Sequence, residues 1–555
     1  MRASISVGLR AVGAAVLVFG AAGTALAQPP GYETSALGGY LPPGAPVGGQ
    51  SLPGQEGYVP PLGYVPPPGY VPPPVRGFAP PATTAVQPAP GFAIDPAPTM
   101  PPSPATAPAA AGTEAVDRLK LSARWNTPNS GVWIESPEKD FVFHVGGTVH
   151  YDAAFYSASR LLETGRGGTG KFNDGANMRR ARIFFEGTLY HQVDYKFEME
   201  FMNGVGFSPA GTTGAVTNTS VVNSPGPTDA WINIKEVPLF GNIRIGSQKE
   251  WFSLEHLNNF RALEFMERSV LFDFNQGTRF NNGFSPGVSA FRTWADQRVF
   301  TGAGVYKNDS GLIGFSTGDG VYAATGRIAA LPIWMPDEKL FWHVGGAMSH
   351  RDPVNGQVVV SVRDNVRNAP LPLLNLLINT GNINASSQNL YNLETAAVWG
   401  PLTIQAEYTA NVINGASTAA TATTAAGPPQ GSLFFSGYYA EAMLLLTGES
   451  RTFNRSIFAL NRVVPNRPLW FKRGEDCDGS TGFGAWELAA RYSYLDVSNK
   501  AIQAGRLDTY TLGVNWYLNT AAKLQFNYDY TRRSDTNVPA GGHVSAFGTR
   551  MALDF

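Results

Sequence analysis

The chain has 555 residues, a net charge of -1 and a charged fraction of only 15%, against roughly 25% in ordinary globular proteins. That balance offers no basic surface for nucleic acid. The one cysteine, Cys477, excludes an intramolecular disulfide.

Residues 1–27 have the form of a secretory signal: Arg2 and Arg10 flank the start of the apolar run Ala11 to Ala22, and Ala25-Leu26-Ala27 supplies an A-x-A cleavage site. No later apolar run reaches the roughly 20 residues a membrane helix needs, so export without a helical anchor is expected. Residues 28–115 are dominated by Pro, Ala and Gly, with Gly-Tyr-Val-Pro-Pro recurring at Gly57, Gly63 and Gly69. Such a composition buries too little apolar surface to fold. A disordered, polyproline-like stretch is expected, acting either as a spacer or as a contact to the cell wall. Residues 116–140 form a short segment without a clear pattern.

From Phe141 to Phe555 apolar and polar residues alternate. In the stretch Asn177 to Asn203, Arg180, Arg182, Phe184, Glu186 and Thr188 share one parity, and Ala181, Ile183, Phe185, Gly187 and Leu189 the other. After a break at His191–Asp194, Tyr195, Phe197, Met199 and Phe201 alternate with Lys196, Glu198 and Glu200. A period of two means strand, because successive Cβ atoms point to opposite sides. Strands are expected to start near Phe141, Met178, Tyr195, Thr228, Asn242, Ser285, Arg298, Val321, Leu340, Leu390, Leu402, Gly437, Gly484, Asp508, Lys523 and Ala546. That makes about 16, an even number, as a single-chain barrel requires. Lipid offers no hydrogen-bond partners, so strands cross it only as a closed barrel. A barrel of this size keeps a watery bore, which explains the polar parity. The fold class expected is therefore all-β: a transmembrane antiparallel β-barrel over residues 141–555.

Short joins at His191–Asp194, Pro238–Gly241, Thr293–Gln297, Pro336–Lys339, Trp399–Gly400 and Asn519–Ala522 then fall on the periplasmic side. Long ones, including Gly204–Pro227, Trp251–Phe284 and Asp352–Asn389, fall outside. Gly448–Phe483 breaks the rule, being long yet periplasmic: it carries local structure or one boundary is misplaced. Trp251–Phe284 is too apolar for a free loop, with Phe252, Leu254, Leu257, Phe260, Leu263, Phe265 and Met266. It is expected to fold inward as a constriction. His256, which would gain charge below about pH 6.5, and Asn259 are its pore-lining candidates.

The run Arg179 to Thr188 with Asp194-Tyr195-Lys196-Phe197 resembles the phosphate-selective porin O/P family. So do Thr228-Asp229-Ala230, Phe265-Met266-Glu267-Arg268-Ser269 and Leu512-Gly513-Val514-Asn515-Trp516-Tyr517. The resemblance implies a sixteen-strand, homotrimeric outer-membrane porin whose pore residues match Arg179, Arg180, Lys196 and Asp229. It also implies three departures, one being a third strand that is less acidic in phosphate-specific members than Glu198 and Glu200 make it here. Phosphate-specific members carry an arginine after Gly146-Gly147, where this chain has Thr148, and a lysine where it has His256. Arg179 lies on the opposite parity from Arg180 and needs a strand end or bulge to reach the bore. An arginine fork would bind phosphate bidentately; the alternative is that these charges only keep the bore wet.

The function expected is passive diffusion of small anions across the outer membrane, phosphate being the leading candidate. The alternatives are a general porin, or a barrel-anchored link to the cell wall through residues 28–115. The sequence holds no H-E-x-x-H, G-x-S-x-G or P-loop, and Gly318 to Ala323 reads as a turn before a strand. No enzyme, cofactor or metal is expected.

Overall fold

The alternation from Arg180 onward is the register of a hairpin. In the computed structural model, strands Gly175–Leu189 and Val193–Glu200 pair so that Ile183 faces Met199 and Phe185 faces Phe197, while Arg182 faces Glu200 and Glu186 faces Lys196. Apolar pairs and opposite charges thus segregate to different sides, each pairing favourable across strands. Tyr190 and His191, both with left-handed φ, make the turn. Val193 and Asp194, expected in the break, belong to the second strand. The structure describes residues 121–125, 131–165, 168–202, 225–276, 283–308, 320–367, 374–420, 425–469, 482–534 and 541–555. The signal and Pro-rich segments, Cys477 and Gly318–Asp319 lie outside them.

Sixteen strands continue this pattern: Phe141–Ala158, Gly175–Leu189, Val193–Glu200, Gly226–Val237, Gly241–Lys249, Phe284–Trp294, Val299–Lys307, Tyr322–Met335, Leu340–Arg351, Ser387–Trp399, Leu402–Thr418, Gly431–Leu445, Ala485–Asn499, Ile502–Tyr517, Ala522–Ser534 and Gly542–Asp554. Each pairs antiparallel with the next, and the last with the first, so the sheet closes. Outward side chains such as Phe155, Ile183, Ile232, Ile328, Leu393, Leu512 and Met551 stand exposed, and inward ones such as Asp152, Arg182, Glu394 and Glu487 are buried. A soluble protein inverts that order; a barrel in lipid requires it.

Two strands begin six residues before their expected starts, at Gly431 and Ile502. In the first, Leu433, Phe434 and Phe435 are consecutive apolar residues; in the second, the register shifts between Arg506 and Gln503, so the alternation is hidden in both. Leu433, Phe435, Leu495, Ile502 and Leu507 point inward onto Val358, Val360, Val362, Leu377 and Ile378. The connection Asp352–Asn389, expected outside, therefore folds into the mouth of the bore, carrying the short pair Ser361–Arg363 and Leu376–Asn379. The opposite end is filled in the same manner. Phe453, Phe458 and Leu460 of the Gly448–Phe483 connection pack with Trp251, Phe300 and Phe341, around the small pair Phe453–Asn454 and Ala459–Leu460. That connection carries local structure; the strand count stands.

The described part of the segment 116–140, residues 121–125 and 131–140, has structure as well. Ser122–Trp125 and Val132–Glu135 form a hairpin whose second strand pairs with Val142–Val145. The last strand pairs with the same edge from Thr148 to Ala158. Phe555 fills the join: Gly147 N–H donates to Phe555 O at 2.6 Å, and Phe555 N–H donates to Gly147 O at 2.9 Å. A Cβ on Gly147 would lie 2.5 Å from the Phe555 ring, so only glycine lets the terminal ring seat.

Gly147→Val should therefore destabilise the barrel by about 1–3 kcal/mol, the usual range for overpacking, read as the thermal midpoint of the folded protein in detergent. Adding Phe555→Ala should recover part of that loss, because contacting sites are not additive. Strictly additive losses would show that the two residues do not meet.

Candidate functional site: the pore constriction

The strand Gly241–Lys249 stops after nine residues, and the chain turns inward at Ser253, whose φ is 68°. Its apolar residues drive it against the wall. Trp251 packs on Phe291 and Phe300, with ring centroids 4.8 and 5.0 Å away. On the facing wall, Phe265 lies over Gly513 and Met266 over Gly548, where a Cβ would sit 3.1 and 2.8 Å from them. Polar groups complete the seat. Glu255 N–H donates to Glu407 at 2.6 Å, Asn515 donates to Glu264 O at 2.6 Å, Lys523 to Leu263 O at 2.9 Å, and Arg550 to Met266 O. Arg451 binds Ala262 O, Glu264 and Glu487. The expected inward constriction is what the structure shows.

Arg179 and Arg180 both reach this loop. The register slips between His150 and Tyr151, which pair with Arg180 and Met178. Arg179 is the extra residue of that bulge, so both side chains point inward. Both meet Glu267, and both are buried. Lys196 stands apart from them, 3.4 Å from Glu186 and 3.6 Å from Asp229. Asp229 also accepts from Trp231 Nε1 at 3.0 Å. Asn259 is the one exposed residue between Trp251 and Phe260; its side chain caps the turn by accepting from Arg261 N–H at 3.1 Å. His256 departs from expectation. It is 1% exposed and lies against Phe272, so it lines no water. Burial first, then Lys249 and Arg268, hold its pKa well below 6.5. It stays neutral where a pH sensor would titrate.

Arg261 was not singled out for a role by pattern, since it follows Phe260 on an irregular turn. Its side chain is 16% exposed, beside those of Lys196 at 15% and Asp229 at 18%. Lys196 Nζ and Arg261 Cζ lie 5.4 and 4.9 Å from the same Phe184 ring. Arg261 also donates to Thr148 Oγ1 at 3.1 Å and lies 3.3 Å from Asp554. With Glu186, 35% exposed beside Lys196, these groups are the water-accessible charges around Phe184.

Other cations are held without acids. Lys249 Nζ donates to His256 O at 2.6 Å and Asn258 O at 3.2 Å. Arg268 donates to Glu255 O and Asn258 O, both at 2.8 Å. Both thus cap the carbonyl end of the helical turn Leu254–Leu257. Arg244 lies on aromatic rings, 4.2 Å from Trp231 and 4.9 Å from Phe291. Among the described residues, no carboxylate oxygen lies within 4.0 Å of Lys249, Arg268, Arg244 or Lys523. Their positive charge is not cancelled at contact distance.

With this geometry in hand, the chain was compared with known proteins. The family described as phosphate-selective porin O and P matches residues 143–555. Porin O of Pseudomonas aeruginosa is 24% identical over 474 residues, covering 81% of this chain and 96% of that one. An uncharacterized protein of Caulobacter vibrioides is 27% identical over 448 residues, 78% of each chain. Among solved structures, the trimer form of OmpT, an outer membrane protein of Vibrio cholerae, overlays with a TM-score of 0.41 at 11% identity, over 74% of this chain and 99% of that one, a likeness too distant to argue from.

Buried His256 sets a pH dependence of stability. The unfolded chain takes up a proton near pH 6.5 that the folded chain refuses. Stability is therefore full above that pH and falls as the solution is acidified. Between pH 7.5 and 5.5 the loss should be about 1.4 kcal/mol. Thermal unfolding at the two pH values should show a fall larger by that amount in the wild type than in His256→Gln.

Proposed function

This chain belongs to the phosphate-selective porin O and P family and is a channel of the outer membrane; on that premise we propose that its bore favours small anions, phosphate first among them. The observation that carries this is how two of the three departures from the phosphate-specific pattern are met, Glu198 and Glu200 being held by Arg182. Thr148 stands where an arginine is expected, and Arg261 places a guanidinium on its hydroxyl at 3.1 Å. His256 stands where a lysine is expected, and Lys249 places an ammonium on its carbonyl at 2.6 Å. Each of these two positions thus has a cation bonded to it, at the side chain of Thr148 and at the backbone of His256. The acid-free cations raise positive potential in the bore, which concentrates anions, while Lys196 and Arg261 act beside Glu186, Asp229 and Asp554. The name of the relative Porin O's family supports phosphate as the solute.

In this reading the chain conducts and does not catalyse; its buried acids and histidines hold loops. Arg179, Arg180, Lys196, Asp229 and Asn259 surround the path, while His256 supports it from behind. A homotrimer is supported by the family resemblance. The signal over residues 1–27 and a wall-contacting or spacer role for residues 28–115 rest on composition alone.

The test is the zero-current potential of the purified protein in planar bilayers under a potassium chloride gradient. Chloride should be preferred over potassium. Arg261→Gln and Lys196→Gln should each lower that preference by roughly fivefold, the weight of about 1 kcal/mol for a unit charge near a passing ion at water-like dielectric. Cation preference that neither substitution changes would overturn the anion reading. Anion preference with no phosphate sensitivity would leave a general porin.

A further inference from the structure

Four guanidinium groups converge on one carboxylate in the constriction. Arg179 Nε donates to Glu267 Oε1 at 2.9 Å and its Nη2 to Oε2 at 3.0 Å. Arg550 Nη2 donates to Oε1 at 2.8 Å. Arg180 Nη2 lies 3.5 Å from both oxygens, and Arg367 Nη1 lies 3.7 Å from Oε2. The arginines come from three places: a bulged strand, the last strand, and the connection that folds in from the mouth. None of the five side chains is more than 8% exposed.

One carboxylate needs one guanidinium fork, and Arg179 already supplies it. Two of the others have acids of their own. Arg550 grips Asp152 through two bonds of 2.7 and 2.6 Å, and Arg367 lies 3.2 Å from Asp273. Glu267 is therefore over-supplied, and for Arg180 it is the carboxylate within 4.0 Å among the described residues. Planar forks aimed from several sides at one point match an oxyanion such as phosphate, sulfate or a small carboxylate. The carboxylate in that place is carried by the loop itself.

We infer that the four arginines form an oxyanion seat that Glu267 fills as a tethered counter-ion, which keeps Arg179 and Arg180 from trapping the anions that pass. This rests on the anion reading above and adds to it a reason why a ring of arginines does not become a blocked binding site. Passing ions then meet the wetted pair Lys196 and Arg261 and leave again, as conduction requires. Shortening residue 267 removes the tethered carboxylate and opens the seat to a free oxyanion.

The test uses the full chain in detergent and in planar bilayers, with inorganic phosphate as probe. In Glu267→Ala, phosphate should block the chloride current at a concentration at least tenfold lower than in the wild type. It should also raise the thermal midpoint of Glu267→Ala while leaving that of the wild type in place. Equal sensitivity of the two proteins in both assays overturns the inference. If Glu267→Ala does not fold, the isosteric Glu267→Gln decides. Its chloride-to-potassium preference should exceed that of the wild type, and an unchanged or lower preference overturns the seat. The thermal assay does not depend on conduction. A wild type that prefers cations, together with a phosphate-stabilised Glu267→Ala, would therefore refute the anion reading and keep the seat.

Discussion

A strand in lipid can hydrogen-bond only to the next strand, and the rest of this structure follows from that constraint. The sheet must close, as it does where Gly542–Asp554 meets Phe141–Ala158. Closure gives every strand a lipid face and a bore face. The bore face can then hold charges that a soluble core of this size could not keep wet. Charge in turn makes it possible to fix loops inside the cylinder by ion pairs and carbonyl contacts.

The constriction uses this freedom. Its apolar side chains bind it to aromatic residues on one wall and to glycines on the other. Its backbone is held by groups from distant strands, among them Asn515, Lys523 and Arg550. Buried ion pairs seldom add much stability over an apolar packing, but losing one partner is severe. Such pairs suit a loop that must keep one position. Asp273 shows the point. It takes the Arg363 guanidinium through two bonds, the Arg363 N–H through a third and Arg367 through a fourth, joining the constriction to the connection folded in from the mouth. Burial opposes its charge, yet Arg363 and Arg367 hold its carboxyl below the usual range.

The barrel was legible because each strand writes its two environments in alternate residues. The pair Arg179 and Arg180 was legible as well, since adjacent residues can share a bore only through a bulge, and a bulge is there. The inward loop could be read from its excess of Phe and Leu. The second inward connection was missed. Apolar residues at its base, such as Leu433 and Leu495, carry no mark of which face they serve, and only three-dimensional packing shows what they cover. His256 was misplaced for a related reason: periodicity does not run through an irregular loop, so nothing in the sequence says which way a side chain turns. The contacts of Arg261 with the Thr148 hydroxyl and of Lys249 with the His256 carbonyl stayed silent because they join residues far apart or on an irregular turn.

The account holds that the water-accessible cations meet the solute while the deeper arginines hold the loop. A crystal of the wild-type protein soaked in bromide or arsenate, with anomalous scattering measured along the bore, tests this most directly. The account predicts anion density in contact with Arg261 and Lys196, and none between Glu267 and its arginines. Density confined to the Glu267 cluster, or no ordered anion beside Arg261 and Lys196, would contradict it.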